Sequence, residues 1–432
     1  MNIIIHTLRV IAFALTEPYF VLFLFILAVI LYKQNRKTSA MQRMIIGEQV
    51  NSPFELTVSQ VVMGIFAGVI ASVIMTCLGV VFYENSMIEI LFLTSILLMV
   101  WSPRFMCFSY SAAILGGISI INSFISGIYG TTEVAYLKFN ITSLMTMVAV
   151  LHFVEGLLVI FDGNRGSVPV FTKREDKIIG GFIMKRYWAL PIAIIMLYNM
   201  SSLGGDVTGT TPTPNWWPIL NGTISTDMLK NTVLLLVPFY GVLGYNSVTF
   251  TRDKTGKVVN SGLFIILYSI ILFILAQLAN LNIFFKILVV LFAPIGHEIM
   301  LYIQRVMEIK RKPKYVSDEG IMILDTAPSS YAYELGIRSG DSIIQINDED
   351  IDTDSDAINI LTKIHSNIKI KLKKKNGEIK EIIYKYSCDK RKLGMVFVPK
   401  SVPEDKTVLK FTENTFTEIL NKVKNRNKDG EE

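Results

Sequence analysis

Residues 288–304 read Leu288-Val289-Val290-Leu291-Phe292-Ala293-Pro294-Ile295-Gly296-His297-Glu298-Ile299-Met300-Leu301-Tyr302-Ile303-Gln304, and Arg305, Lys310, Arg311, Lys312 and Lys314 follow at once. An apolar run that long fits a membrane better than a soluble core, and the basic cluster behind it marks an edge. The chain has 432 residues, 51% hydrophobic and 18% charged. Charge is roughly three times denser after residue 304 than before it. Such apolar content excludes a disordered chain, and the length of the apolar runs excludes a single soluble globule. The expected architecture is a polytopic α-helical membrane domain over 1–304, a basic linker over 305–314, a small α+β domain over 315–400 and a charged tail over 401–432. The net charge of +6 is not gathered into a block that would suit nucleic acid.

Spanning helices need about 20 mostly apolar residues. Working back from 288–304, candidate spans fall near 18–32, 57–83, 87–101, 105–129, 139–161, 187–200, 232–248, 261–283 and 286–304, about nine in all. Residues 33–56, 102–104, 162–186, 249–260 and 305–314 together hold nineteen lysines and arginines, and the opposite loops hold three, Arg9, Lys138 and Lys230. This asymmetry predicts a cytoplasmic C-terminal domain, with Trp101 and Trp188 at the cytoplasmic interface. The first segment lacks a basic n-region and cleavage site and reads as a short interfacial helix. The basic stretch 162–186 reads as a topology determinant that touches anionic headgroups, or as a docking site for a partner. Trp216 and Trp217 read as interfacial anchors or as an exposed hot spot.

Beyond Tyr315 the pattern changes to short strands. Gly320-Ile321-Met322-Ile323-Leu324 is a strand, Tyr331 to Leu335 a short helix stopped by Gly336, and Ile343 to Asn347 a second strand. A helix is expected from about Asp354 to His365. Ile368, Ile370 and Leu372 then alternate with lysines, and Asn376-Gly377 turns the chain into a strand over Ile379 to Tyr384.

The order Gly-Ile-Met-Ile, Ala-Pro-Ser-Ser, Leu-Gly-Ile and Ser-Gly-Asp-Ser-Ile-Ile-Gln-Ile-Asn resembles a bacterial PDZ domain. The carboxylate-binding strand of that family ordinarily comes first, and residues 313–319 carry nothing like it. Lys392-Leu393-Gly394-Met395-Val396-Phe397-Val398 stands after the hairpin instead, so the resemblance implies a circularly permuted domain. Leu393, Gly394 and Met395 would then form the carboxylate turn and strand edge, facing a helix wall of Ile358, Thr362 and His365. The alternative is that this strand only completes the sheet.

Catalytic signatures are thin. Residues 297–301 read His-Glu-Ile-Met-Leu, so the second histidine of a zinc-protease helix is replaced by Leu301. Cys77, Cys107 and Cys388 have no metal-ligand spacing. No catalytic residue, metal or cofactor is expected. His152, Glu155, His297 and Glu298 nevertheless sit inside apolar runs, where each ionisable group needs a partner. His152 and Glu155 share a helix face and can pair. His297 and Glu298 diverge, so at least one needs a partner on another helix. Bundle packing is the expected role, with an ion or proton path as the alternative.

Val154-Glu155-Gly156-Leu157-Leu158, the Val-Pro-Val near Val170, Lys177-Ile178-Ile179-Gly180 and Arg186-Tyr187-Trp188-Ala189-Leu190-Pro191 resemble MinJ-type proteins. So do Asn215-Trp216-Trp217-Pro218, Ala293-Pro294-Ile295-Gly296-His297-Glu298 and the PDZ-like region with Lys392-Leu393-Gly394. The resemblance spans roughly residues 15–400 and implies a non-enzymatic cell-division scaffold of the cell membrane. It would tether division regulators at pole or septum, with a DivIVA-like scaffold and a MinD-like ATPase as cytoplasmic partners, and homo-oligomers are compatible with it. A PDZ adaptor for membrane proteolysis or secretion, and a transporter using the buried His/Glu set, are the alternatives.

Overall fold

The computed structural model describes residues 2–86, 88–101, 105, 107–132, 134–199, 213–220, 232–351, 353, 356–357, 360, 367–384 and 394–400. Helices α1 (Asn2–Thr16), α2 (Pro18–Ile46), α3 (Pro53–Leu78), α4 (Glu89–Trp101), α5 (Phe108–Tyr129) and α6 (Ile141–Asp162) come first, with strand β1 (Val81–Tyr83) after α3. Strands β2 (Val168–Arg174), β3 (Lys177–Asn199) and β4 (Thr232–Thr249) follow, then helices α7 (Lys254–Leu278) and α8 (Ile283–Lys310). Six of these helices, α2, α3, α5, α6, α7 and α8, are long and apolar enough to cross a membrane.

Two of the expected spans, 187–200 and 232–248, fall on strands rather than helices, over 187–199 and 232–248 of the described residues. They belong to β3 and β4, which pair antiparallel from Phe182↔Thr249 to Asn199↔Thr232. Pro191 and Pro238 fall inside these runs, beside β-branched Ile192, Ile194 and Ile195 and the helix-weakening Gly241 and Gly244. A strand apolar on both faces has the same composition as a short span, so periodicity alone does not separate them.

β3 is central. Beyond β4, its far edge pairs with β2 (Val168↔Ile183 to Arg174↔Lys177) and, in parallel, with β1 (Val81↔Ile195 to Tyr83↔Leu197). Between those two partners the edge is covered by α3. Ala193 N–H donates to Ser72 Oγ at 2.8 Å. The carbonyls of Ala189 and Pro191 point at Gly64 and Gly68, where an added Cβ would stand 2.1 Å from either oxygen. Pro191, with no N–H, occupies an edge position where no strand asks for one. Small residues at spacing four let helix and strand backbones touch.

At the end where the basic loops gather, Arg186 and Asp162 are buried, their side chains 1% and 3% exposed. Arg186 Nε donates to Asp162 Oδ2 at 3.0 Å, its Nη2 donates to the same oxygen and to Ser59 Oγ, and Trp188 Nε1 donates to Oδ2 at 2.8 Å. Trp188 is therefore a core residue rather than an interfacial ring, and Arg186 locks α3, α6 and β3 together rather than facing headgroups. The stretch read as a basic loop is largely the β2–β3 hairpin. The paired tryptophans also divide: Trp217 is buried, donating from Nε1 to Thr76 O at 2.7 Å, and Trp216 is exposed.

α8 runs on to Lys310, so most of the expected linker is helix; nothing breaks it before the Lys312-Pro313 step. Glu308 near its end accepts from Phe250 N–H (2.7 Å), Thr251 N–H (2.9 Å) and Thr249 Oγ (2.9 Å), tying α8 to the end of β4.

The C-terminal module contains β5 (Tyr315–Val316), β6 (Ile321–Thr326), α9 (Tyr331–Glu334), β7 (Ser342–Ile346), β8 (Glu349–Asp350), β9 (Ile368–Lys373), β10 (Ile379–Tyr384) and β11 (Met395–Phe397). β5 joins β3 of the helical part, whereas the module's own sheet has the order β10-β9-β7-β6-β11, with β8 on β7. Ile368, Ile370 and Leu372 are buried on one face of β9, as their alternation with lysine requires.

The module is fastened down. Tyr315 pairs with Gly180, stacks edge-on against Phe182 and is buried, which pushes its hydroxyl pKa up to about 12. Lys254 donates to both oxygens of Asp325 at 2.8 Å. Gly180 lets the module pack close, since a Cβ there would meet the side chains of Leu324 at 2.9 Å and Val398 at 3.0 Å and make them shift.

Two substitutions test this frame. Gly68→Leu forces α3 off β3 and is expected to cost at least the ~1–3 kcal/mol of an overpacked core, read as a lower melting temperature of the detergent-solubilised chain. Asp162→Ala strands a buried guanidinium and is expected to cost about 3–5 kcal/mol in the same assay; a variant that melts like the parent would refute the lock.

Candidate functional sites

One candidate site lies within the helical part. His152 stands ten residues before the end of α6, about 15 Å along the axis, and is 1% exposed. α5 does not begin at an end of the helical layer. Its N-cap, Cys107, sits against His152 at that mid-height, with Sγ 3.0 Å from Nε2. α4 packs back along α5 through the Ser95–Ser111 hydrogen bond (2.8 Å) and the Phe92–Phe108 ring pair. Residues 102–104, expected in a basic loop, lie outside the described residues.

The polar groups here orient one another. His152 Nδ1 lies 2.7 Å from Val148 O, a carbonyl that only accepts, so Nδ1 carries a proton. Nε2 is thereby turned toward Cys107 and toward Ser109 Oγ at 3.2 Å. Tyr268 donates to Ala293 O at 2.7 Å and meets Ser109 Oγ at 2.9 Å. His297 enters from α8, its ring 5.7 Å from that of His152. Glu155 Oε2 stands 3.9 Å from His152 Nε2, as the shared helix face predicts. Tyr110 on α5 donates to Glu298 and lies 3.4 Å from His297 Nδ1. All four expected buried polar residues are thus in one neighbourhood, with α5 serving both helices. Cys107, His152 and His297 each present a ligand atom, all within 4.8 Å of one another. The sequence carries no signal that joins Cys107 to the histidines, because the three ligands come from three separate elements and share no spacing.

The second candidate site is the end of the module sheet. Gly394 adopts φ 58°, and a Cβ there would lie 2.4 Å from that of Ser330, so only glycine fits this turn. Gly394 O accepts from Ala327 N–H and Val398 N–H donates to Met322 O, each at 2.8 Å. Because C=O and N–H of one trans peptide point opposite ways, the Met395 N–H and the Phe397 carbonyl face away from β6; the register of the pair shifts between Val396 and Phe397. β11 is the terminal strand of its sheet among the described residues. Met395 and Phe397 lean on the module core, and Val396 and Val398 on the core of the helical part. Gly394 and Met395 therefore stand on this edge; Leu393, Ile358, Thr362 and His365 lie outside the described residues.

No protein-family model, curated protein or solved structure matches the chain.

Ser109 joins His152 to Tyr268, so Ser109→Ala leaves both rings short of a buried partner. The expected loss is about 1–3 kcal/mol of stability, measured as a lower melting temperature of the full chain. No change would mean that the serine is a bystander.

Proposed function

We propose that the chain is a non-enzymatic membrane adaptor, with the helical part as anchor and the C-terminal module as a cytoplasmic reader of partner proteins. The terminal position of β11 carries this reading. An extended segment can add to such an edge through main-chain hydrogen bonds, with alternate side chains supplying specificity. The Gly394 turn at the head of β11 suits a PDZ-like carboxylate cradle, and the PDZ resemblance, permuted as the chain order suggests, supports it. The concentration of basic residues at the module's end of the helices supports a cytoplasmic position.

The fastening of β5, β6 and β11 to the helical part gives the edge a fixed position relative to the anchor. A segment captured there would be held at the membrane surface, as tethering requires. The MinJ resemblance supplies the biological setting: a scaffold at pole or septum that meets a DivIVA-like protein and a MinD-like ATPase.

A fluorescent fusion of the full chain tests the setting and the edge together. In dividing bacterial cells lacking the native copy, the fusion is expected to concentrate at septa or poles. Met395→Pro, which removes an outward-facing N–H, is expected to stay in the membrane and spread evenly. An even distribution of the unaltered fusion, with normally placed septa in the deletion strain, would overturn the reading.

A further inference from the structure

We propose that Cys107, His152 and His297 hold a divalent transition-metal ion, zinc by preference, at mid-height of the helical part. The observation is the convergence of one sulfur and two imidazole ligands from α5, α6 and α8, with all ligand atoms inside 4.8 Å. A tetrahedral zinc, with metal–sulfur near 2.3 Å and metal–nitrogen near 2.0–2.1 Å, holds its ligand atoms about 3.5 Å apart. The Cys107–His152 separation of 3.0 Å lies below that value and the 4.8 Å limit of the set above it, so the side chains would adjust to close on an ion.

The hydrogen bonds around the cluster support the same conclusion. Metal-binding histidines characteristically donate their other ring N–H to a carbonyl or carboxylate, and His152 Nδ1 does so to Val148 O. Nε2 then offers a lone pair to the space shared with Cys107. Tyr268 spends its only proton on Ala293 O, so Ser109 has a single proton to divide between Tyr268 and Nε2. In the metal-free chain the Cys107 thiol supplies the proton that meets Nε2, and loss of that proton on binding frees both ligand atoms for the cation.

Charge balance favours the same ion. A thiolate and a carboxylate together balance a divalent ion, and Glu155 Oε2 is 3.9 Å from His152 Nε2. Glu155 is therefore the natural fourth ligand or outer partner, making the site neutral in an apolar layer where net charge is costly. Sulfur plus two imidazoles in a tetrahedral set favours zinc among the common ions. On binding, zinc takes the place of the Cys107 proton, which leaves to solvent. The ion would pin the start of α5 to α6 and α8.

The test uses the full chain in detergent. After equilibration with zinc chloride and desalting, about one zinc per chain is expected by elemental analysis. Loading the metal-stripped chain with cobalt chloride should give the near-ultraviolet thiolate-to-cobalt band and the visible bands of a tetrahedral site. Cys107→Ser should abolish the thiolate band and weaken binding at least tenfold, and His152→Ala or His297→Ala should weaken it similarly. If a monodisperse wild-type chain retains neither zinc nor cobalt above a buffer blank, the cluster is a proton-sharing thiol–imidazole set and the proposal fails. An unchanged thiolate band in Cys107→Ser overturns it too. The wild-type measurement stands whether or not the variants fold.

Discussion

A strand laid among apolar helices must have each backbone N–H and C=O answered by protein, because no water is there to do it. β3 meets this condition from several directions. β4 takes one edge along nearly its whole length, and β2 and β1 take the two ends of the other. The stretch between them falls to α3, where Ser72 receives the Ala193 N–H and Gly64 and Gly68 bring the helix backbone against two carbonyls. Pro191 fits there because its missing donor would have had no strand partner. The requirement explains residue choices in two elements at once: glycine in a helix, where it costs stability, and proline in a strand, where it is normally excluded.

The same strand connects the layers. Its first half leaves the helices at the basic end, crosses the Arg186–Asp162 lock and presents Gly180 to Tyr315, Leu324 and Val398. A buried ion pair is weak evidence of net stability, since desolvation offsets much of its attraction. Here the pair is strongly directional, because Asp162 also receives Ser59 and Trp188. Its value lies in fixing where β3 emerges, and therefore where the module sits. Tyr315 and Lys254 extend that fixity to β5 and β6.

Legibility in the sequence followed how local each signal is. α3, α6 and α7 read correctly from apolar length, and β9–β10 from alternation around Asn376-Gly377. Gly394 was legible as a turn through the resemblance of Leu393-Gly394 to the carboxylate-binding turn of PDZ domains, and its φ of 58° agrees. β3 and β4 were not, since a strand buried on both faces and a short spanning helix spend the same residues. Trp188 and Arg186 misled for a related reason: at a membrane edge the usual expectation is an interface, and only the fold supplies Asp162 as a partner. His152 and Glu155 could be paired by counting along one helix. Cys107 could not be joined to them by any count, because its position depends on α5 starting at mid-height.

α5 starts at mid-height of the helical part, with Cys107 beside His152. A helix beginning inside an apolar layer exposes unsatisfied N–H groups and the positive end of its dipole. The chain places a polar cluster there, including Cys107 as the N-cap, whose Sγ accepts from Ser109 N–H at 3.5 Å. Thiolate character at Cys107 would answer the dipole, and a metal shared with His152 and His297 would in turn neutralise the thiolate. The cluster is thus a local solution to a helix end in the wrong solvent, much as Ser72 is for a strand edge. The two differ in what they permit. Ser72 closes a gap completely, whereas the Cys107 cluster turns one sulfur and two imidazoles toward a common point, held by a thiol proton that a metal ion can replace.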